Sequence, residues 1–233
     1  ESDFDPGTDT AWFYNNGYQD AFVVKLDQNR NFLWAVQMGG DLGESANDIV
    51  VDSLGYSYVI GDFYSSTADF DPGPGVLNLN TNGGNDIFIM KLDPNGNMVW
   101  VKQIGGPQGE HAYSIAKDAN HNLYVTGSFA GTVDLDPGPG VHNAGTIGYQ
   151  LFIIKLDSAG NFIWGKDFAS YSFAESHTLE VDPFGNLYVA GCFDQVVDFD
   201  PGTGTTNLTP ILPGLDDGFI SKFDPNGNFV WAY

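Results

Sequence analysis

The residues with the clearest capacity for chemistry are four aspartate pairs: Asp3 and Asp5, Asp69 and Asp71, Asp134 and Asp136, Asp198 and Asp200. Each is followed at once by Pro-Gly, as in "ADFDPGPGVLNL" from Ala68. In an extended segment residues i and i+2 point the same way, about 7 Å apart. Asp69 and Asp71 are therefore expected on one side and Phe70 on the other, toward apolar neighbours. Two carboxylates beside a turn that bares its carbonyls suit a hard cation with about six to eight oxygen ligands, which makes calcium the expected cofactor. The same residues also read as turn caps, the second aspartate closing the Pro-Gly turn through its own side chain. A duplicated turn would repeat either feature, so both readings stand. Asp20, Asp86 and Asp217, at the start of a recurring strand, are candidates for further ligands, although the third copy has Gln150 there.

Other candidate groups are sparser. Glu44, Glu110 and Glu175 precede a recurring strand in three copies, which places a ring of carboxylates near one mouth or, more plainly, a repeated cap. His111 and His177 lie nearby at different offsets, with Ser45 and Asn47 in the corresponding places of another copy. The single cysteine, Cys192 in "AGCF", reads as a small pendant residue, and one cysteine makes no disulfide within the chain. No HExxH, GxSxG or phosphate-loop string occurs, so no catalytic residues are assigned. The recurring tryptophans read as packing groups inside an apolar strand rather than sugar platforms. Tyr14, Tyr18, Tyr64, Tyr149 and Tyr171 are not repeated, and a ligand site is sought first among such residues.

Composition narrows the partners. The 233 residues carry a net charge of −22 with only eight Lys and Arg, which argues against nucleic acid and anionic membranes. No 18-residue apolar run is present to insert in a membrane. Of the 30 acids only five are Glu, a bias toward the residue that forms turns and compact oxygen sites. Thirty glycines and twelve prolines point to many tight turns. The chain opens inside a repeat with no signal peptide, as an excised or mature piece would.

The elements that position these residues follow from the repeat. "DAFVVKLDQNRNFLWA" (20–35) returns as "DIFIMKLDPNGNMVWV", "QLFIIKLDSAGNFIWG" and "DGFISKFDPNGNFVWA", and its tryptophans, Trp34, Trp100, Trp164 and Trp231, are 66, 64 and 67 residues apart. A second line, "NDIVVDSLGYSYVIGDF" (47–63), recurs twice more. Each unit of roughly 65 residues reads as four strands. Gly96, Gly160 and Gly227 take the left-handed slot of the turn between strands three and four; Arg30 stands there in the first copy and should be mildly strained. Strands two and three are apolar on both faces, so each small sheet is covered on both sides. Repeated four-stranded sheets sandwiched by their neighbours describe an all-β propeller. The units run 41–106, 107–166 and 167–233, three complete blades, with a partial blade at 1–40.

The "GNLYVTGSF", "DAFVVKLD" and "GNFVW" strings and the Gly-Gly strand ends resemble the bacterial seven-bladed β-propeller repeat family across nearly the whole chain. The "DFDPG" insertion is similar to that of large secreted proteins of Bacteroidetes-type bacteria. The resemblance implies an extracellular or cell-surface setting and no particular reaction. Three functions follow as expectations: a non-catalytic module binding a protein or glycan in adhesion, stabilised by calcium; a polysaccharide lyase or glycosidase; or a structural spacer of a giant surface protein. The partial blade should be completed by flanking chain or by self-association.

Overall fold

The computed structural model describes residues 2–145, 148–168, 173–212 and 214–233. Tyr171 therefore lies outside the described residues. Within them every regular element is a strand and there is no helix. Three four-stranded antiparallel sheets are built alike. Their strands, in chain order, are Glu44–Val51, Ser57–Phe63, Asp86–Leu92 and Met98–Ile104; Glu110–Lys117, Leu123–Ala130, Tyr149–Leu156 and Phe162–Phe168; and Ala174–Val181, Leu187–Phe193, Asp217–Phe223 and Phe229–Ala232. The first strand of each lies at one edge and the fourth at the other. A further sheet pairs Ala21–Leu26 with Phe32–Gly40 and then with the short hairpin of Ala68–Asp69 and Asn78–Leu79. All-β sheets of this form are consistent with propeller blades.

The turns explain the preference for aspartate over glutamate. In "DPNGN", Asp93 Oδ1 accepts from the N–H of Asn95 (2.7 Å) and of Asn97 (2.9 Å), and its Oδ2 accepts from Asn97 Nδ2 (2.9 Å). The same Asp-to-Asn clamp closes the turns at 27–31, 118–122, 157–161, 182–186 and 224–228. Only a one-carbon stem places a carboxylate over its own turn in this way. Hydrogen bonds from Asn31, Asn97 and Asn186 hold Asp27, Asp93 and Asp182 below the usual carboxylate range. As expected, Gly96, Gly160 and Gly227 have positive φ, and Arg30 adopts φ 68°.

Sheets join through these turns. Lys25 Nζ and Trp34 Nε1 both donate to Pro94 O of the next sheet, at 2.7 and 3.0 Å. Lys91 reaches Ser158 O and Lys155 reaches Pro225 O. Trp34, Trp100 and Trp164 each lie over the next turn's glycine, so that a Cβ at Gly96 would sit 3.0 Å from the Trp34 ring and one at Gly227 3.1 Å from that of Trp164. Those glycines are thus required twice, for φ and for space. The tryptophans are packing groups, as their strand position implies.

The "DFDPG" hairpins are a second fastening. Ala68 and Asp69 pair with Gly40 and Gly39 of the preceding sheet. Phe70 is fully buried against Phe63 and Phe88, in a cluster shared with Ala21, Val36 and Met38 of that preceding sheet. Leu135 and Phe199 are buried equivalently, and Phe199 touches Phe168 of the sheet before it. Phe4, which meets Phe13 and Phe22, is only half-buried. Truncating a fully buried phenylalanine removes its burial and leaves a cavity, so Phe70→Ala should cost about 3–5 kcal/mol. Phe4→Ala should cost clearly less, and urea unfolding of both variants checks the difference.

Candidate functional site

The aspartate pairs are placed by the hairpins just described. Asp69 Oδ1 accepts from the N–H of Asp71 (3.0 Å) and of Leu77 (2.8 Å), and Asp71 Oδ1 accepts from Gly73 N–H (2.8 Å). The other three hairpins repeat this bond for bond. Asp3 accepts from Asp5 and Ala11, Asp134 from Asp136 and His142, and Asp198 from Asp200 and Thr206, all through main-chain N–H groups. Asp5 accepts from Gly7 N–H at 2.7 Å, Asp136 from Gly138 N–H at 2.8 Å and Asp200 from Gly202 N–H at 2.8 Å.

The second aspartate of each pair acts as a turn cap. One oxygen of each member, Asp3 and Asp5, Asp69 and Asp71, Asp134 and Asp136, Asp198 and Asp200, is engaged in closing its own hairpin. The physical reason is the short aspartate stem, which brings the carboxylate back onto the N–H groups that the turn exposes. Among the described residues no group of three or more His, Cys, Asp or Glu side chains is placed to hold a metal ion. Asp20, Asp86 and Asp217 each accept from a main-chain N–H of their own loop, those of Asn16, Asn82 and Ile211. Any cation at these hairpins would draw most of its ligands from carbonyls and water.

A different cluster forms where the first strands of successive sheets lie side by side. Asp48 Oδ2 accepts from Ser114 Oγ (3.0 Å) and Ile115 N–H (2.9 Å) of the next first strand, and Asn47 Nδ2 donates to Ala112 O (2.9 Å). Thr126 Oγ1 donates to Ser176 Oγ (2.7 Å) across the following junction. On this frame Asp62 takes His111 Nδ1 at 3.0 Å and Ala112 N–H at 2.9 Å. The His111 ring stacks on Tyr113, with centroids 6.1 Å apart and planes 14° apart. Tyr113 hydroxyl donates to Glu175 Oε1 (2.9 Å), Glu175 Oε2 lies 3.9 Å from His177 Nε2, and His177 Nε2 lies 3.6 Å from Cys192 Sγ. A polar line thus runs across three sheets.

Its register differs from the sequence expectation. Glu44 pairs with Phe63, Glu110 with Phe129, but Ala174 pairs with Phe193. Glu175 is one residue further on and belongs with Ser45 and His111; Asn47, Tyr113 and His177 share the bulged position two residues later. The three glutamates therefore do not form a ring. Glu44 and Glu110 are fully buried caps, each accepting at 2.8 Å from a glycine N–H, Gly40 and Gly106. The Oε1 atom of Glu110 has no partner among the described residues. Burial pushes Glu110 up to about 7, with Asp86 adding to the rise, and pushes Glu44 up likewise. At the third junction both acids vanish together, as Gln150 and Ala174. Two buried carboxylates that repel each other are lost as a unit.

The chemistry open to the line is limited by its electrostatics. The hydrogen bond to Asp62 raises His111, favouring its cation. Burial, with Glu175 adding, pushes the Tyr113 phenol well above its ordinary value. Burial also raises the Cys192 thiol, with Asp216, Glu175 and Asp194 adding to it, so the thiol stays protonated and is a poor nucleophile. Tyr14, Tyr18, Tyr64 and Tyr149 are exposed. The bulge that brings His111, Tyr113 and Glu175 together has no signal in any single repeat; only the three registers side by side reveal it.

Glu110 yields a pH prediction. Its folded pKa lies above the ordinary 4.5, so stability is full below about pH 4.5 and falls as pH rises toward about 7. The full loss is about 3 kcal/mol at 1.4 kcal/mol per unit. Glu110→Gln should remove that part of the pH dependence, so the stability difference between variant and wild type should shift by this amount between about pH 4 and 8. Urea unfolding across that range measures it, and parallel curves would refute the assignment.

No family model matches the chain. A crystal structure of a protein of unknown function from Bacteroides caccae aligns over 94% of this chain and 91% of its own at 12% identity, with a TM-score of 0.25. An uncharacterized WD repeat-containing protein of Acanthamoeba polyphaga mimivirus is 26% identical over 226 residues, covering 86% of this chain. The chain spans 16% of that relative's length. The similarity suggests a β-propeller-type repeat family.

Proposed function

We propose that this chain is a secreted or cell-surface binding module of the β-propeller type, non-catalytic, whose contact surface is the rim of first strands. The observation that carries the reading is where the repeat breaks its own symmetry. Core positions recur almost unchanged, as Phe88, Phe152 and Phe219 do. The rim positions do not: Ser45, His111 and Glu175 are equivalent, as are Asn47, Tyr113 and His177. Divergence at a half-exposed edge of a rigid scaffold is what ligand recognition produces. The ligand class that fits is a protein segment or a glycan offering hydrogen-bond donors and cationic groups, since Glu175 is the half-exposed carboxylate of the line. The resemblance of the insertion-bearing repeat to secreted bacterial proteins supports the extracellular setting.

One observation favours a second reading, a polysaccharide lyase: His111 and Tyr113 are stacked. The raised phenol makes Tyr113 hard to ionise at neutral pH, and the surrounding carboxylates repel a uronate. A panel of neutral and anionic glycans and of basic peptides decides between the two. Retention without bond cleavage, weakened about tenfold or more by Tyr113→Ala, is expected; release of new chain ends would establish the enzyme instead.

Calcium belongs to the same proposal as the stabiliser of the acidic hairpins. The Oδ2 atoms of Asp69 and Asp71 take no hydrogen bond from the described residues, which leaves them for a hard cation. Binding to the folded state alone adds about 2.7 kcal/mol per site at a hundredfold excess over Kd. Millimolar calcium should raise Tm and EDTA lower it. The double variant Asp69→Asn, Asp71→Asn should keep the hairpin, because an amide oxygen accepts the same N–H groups, and lose one site's share of the shift. Calorimetry with and without calcium measures both; a Tm indifferent to calcium in the parent removes the metal.

A further inference from the structure

The chain carries four Asn-Gly pairs: Asn16-Gly17, Asn82-Gly83, Asn95-Gly96 and Asn226-Gly227. Asparagine before glycine is chemically labile, because a glycine nitrogen, uncrowded by any Cβ, can attack the asparagine side-chain carbonyl. All four asparagines are exposed, so solvent access does not rank them. The glycine nitrogens do. Gly96 and Gly227 are buried in their turns, and their N–H groups donate to Asp93 O at 3.0 Å and to Asp224 O at 2.9 Å. Trp34 and Trp164 cover them. A nitrogen held by a carbonyl beneath an indole cannot turn toward the preceding side chain until its turn opens. Gly17 and Gly83 are exposed, and neither N–H has an acceptor among the described residues.

Of the two unprotected pairs, Asn82-Gly83 lies in a loop fastened to its surroundings residue by residue. Asn82 N–H donates to Asp86 Oδ2 at 3.1 Å. Gly84 N–H donates to Gln108 O at 2.7 Å, and Glu110 N–H donates to Asn85 O at 3.0 Å. The Asn85 amide donates to Glu110 O and lies 3.3 Å from His111 Nδ1. The loop's main chain rests directly on the approach to that strand, since a Cβ at Gly83 would come within 2.4 Å of Pro107. Residues 82–86 therefore fix the entry to Glu110–Lys117 and brace one side of the His111 ring.

We propose that Asn82 is a site of spontaneous deamidation, and that its isoaspartyl product releases the loop that braces His111. Gly83 N bonds to Asn82 Cγ, its proton passes through solvent to the departing amide, and ammonia leaves as the Cγ–Nδ2 bond breaks. Water then opens the cyclic imide, on one side to aspartate and on the other to isoaspartate. Each conversion consumes one water and releases one ammonia. Isoaspartate routes the main chain through the former side chain and lengthens it by a methylene. The bonds from Asn82 N–H to Asp86 and from Gly84 N–H to Gln108 sit on either side of that insertion, so both cannot keep their spacing. A consequence for ligand binding rests on the rim being the contact surface; the chemistry and its effect on His111 do not.

Peptide mapping of the full chain after prolonged warming at mildly alkaline pH, still folded, tests the site. Conversion at Asn82 should run at least about tenfold faster than at Asn95 or Asn226, whose turns must open first. In the urea-unfolded chain the three should convert at similar rates, because each is followed by glycine. Asn82→Gln, at an exposed side chain, should stop the reaction there and leave the chain folded. In the isoaspartyl fraction the ring resonances of His111, assigned with a His111→Gln variant, should shift from those of the fresh chain. The Asn82→Gln chain aged alongside should keep them. Equal rates at the three sites in the folded chain, or an isoaspartyl fraction with His111 unmoved, would overturn the proposal.

Discussion

The structure depends on one repeated contact, the seating of a lysine and a tryptophan of one sheet on the turn of the next. The peptide carbonyl at Pro94, Ser158 or Pro225 accepts the ammonium, and where the turn glycine follows, the indole covers it. A four-stranded sheet of this size cannot bury two apolar faces alone. Its stability comes from neighbours, and this contact sets their spacing and their order. The turn must therefore be rigid, which the Asp-to-Asn clamp ensures, and it must lack a side chain at its left-handed residue. Arg30 meets the conformational demand at some strain.

The Asp-x-Asp-Pro-Gly hairpins serve the same end from the outer side. The residue between the aspartates is buried against apolar side chains shared with the preceding sheet, and the aspartates fold the hairpin so that it arrives there. Much of the chain's negative charge thus fixes backbone. Charge held on turns remains solvated. The rim is the exception: there Asp62 meets His111 and Glu175 meets Tyr113 across sheets rather than their own backbones.

Much of the fold was legible because its signals recur. Trp34, Trp100, Trp164 and Trp231 mark the period, both-face apolarity marks strands covered on two sides, and the turn glycines mark the hairpins. The clamp of Asp93 and Asn97 was equally present in the sequence, but it reads as ordinary turn composition until the carboxylate is seen bonding its own turn. The short hairpin strands were missed because two residues, such as Ala68 and Asp69, carry no periodicity. The candidate site was less legible. Asp5, Asp71, Asp136 and Asp200 suit a ligand and a turn cap equally by type and spacing, and only their bonds to Gly7, Gly73, Gly138 and Gly202 reveal the cap. Glu175 matches Glu44 and Glu110 by its place before the strand, yet the first strands each carry a bulge, and a one-residue offset turns a side chain to the opposite face. Long-range partners such as Asp62 and His111 are set by how sheets stack, which spacing along one strand does not encode.

If sheets are stabilised chiefly by their neighbours, stability should be graded along the chain. Native-state hydrogen exchange, read strand by strand, measures this directly. The account predicts the slowest exchange in Asp86–Leu92 and Tyr149–Leu156, which have a sheet on both sides. It predicts faster exchange in Asp217–Phe223, whose sheet packs on the preceding sheet alone among the described residues, and the fastest in Ala21–Leu26. Equal protection of all four strands would contradict it, because each sheet would then be stable without the contacts described.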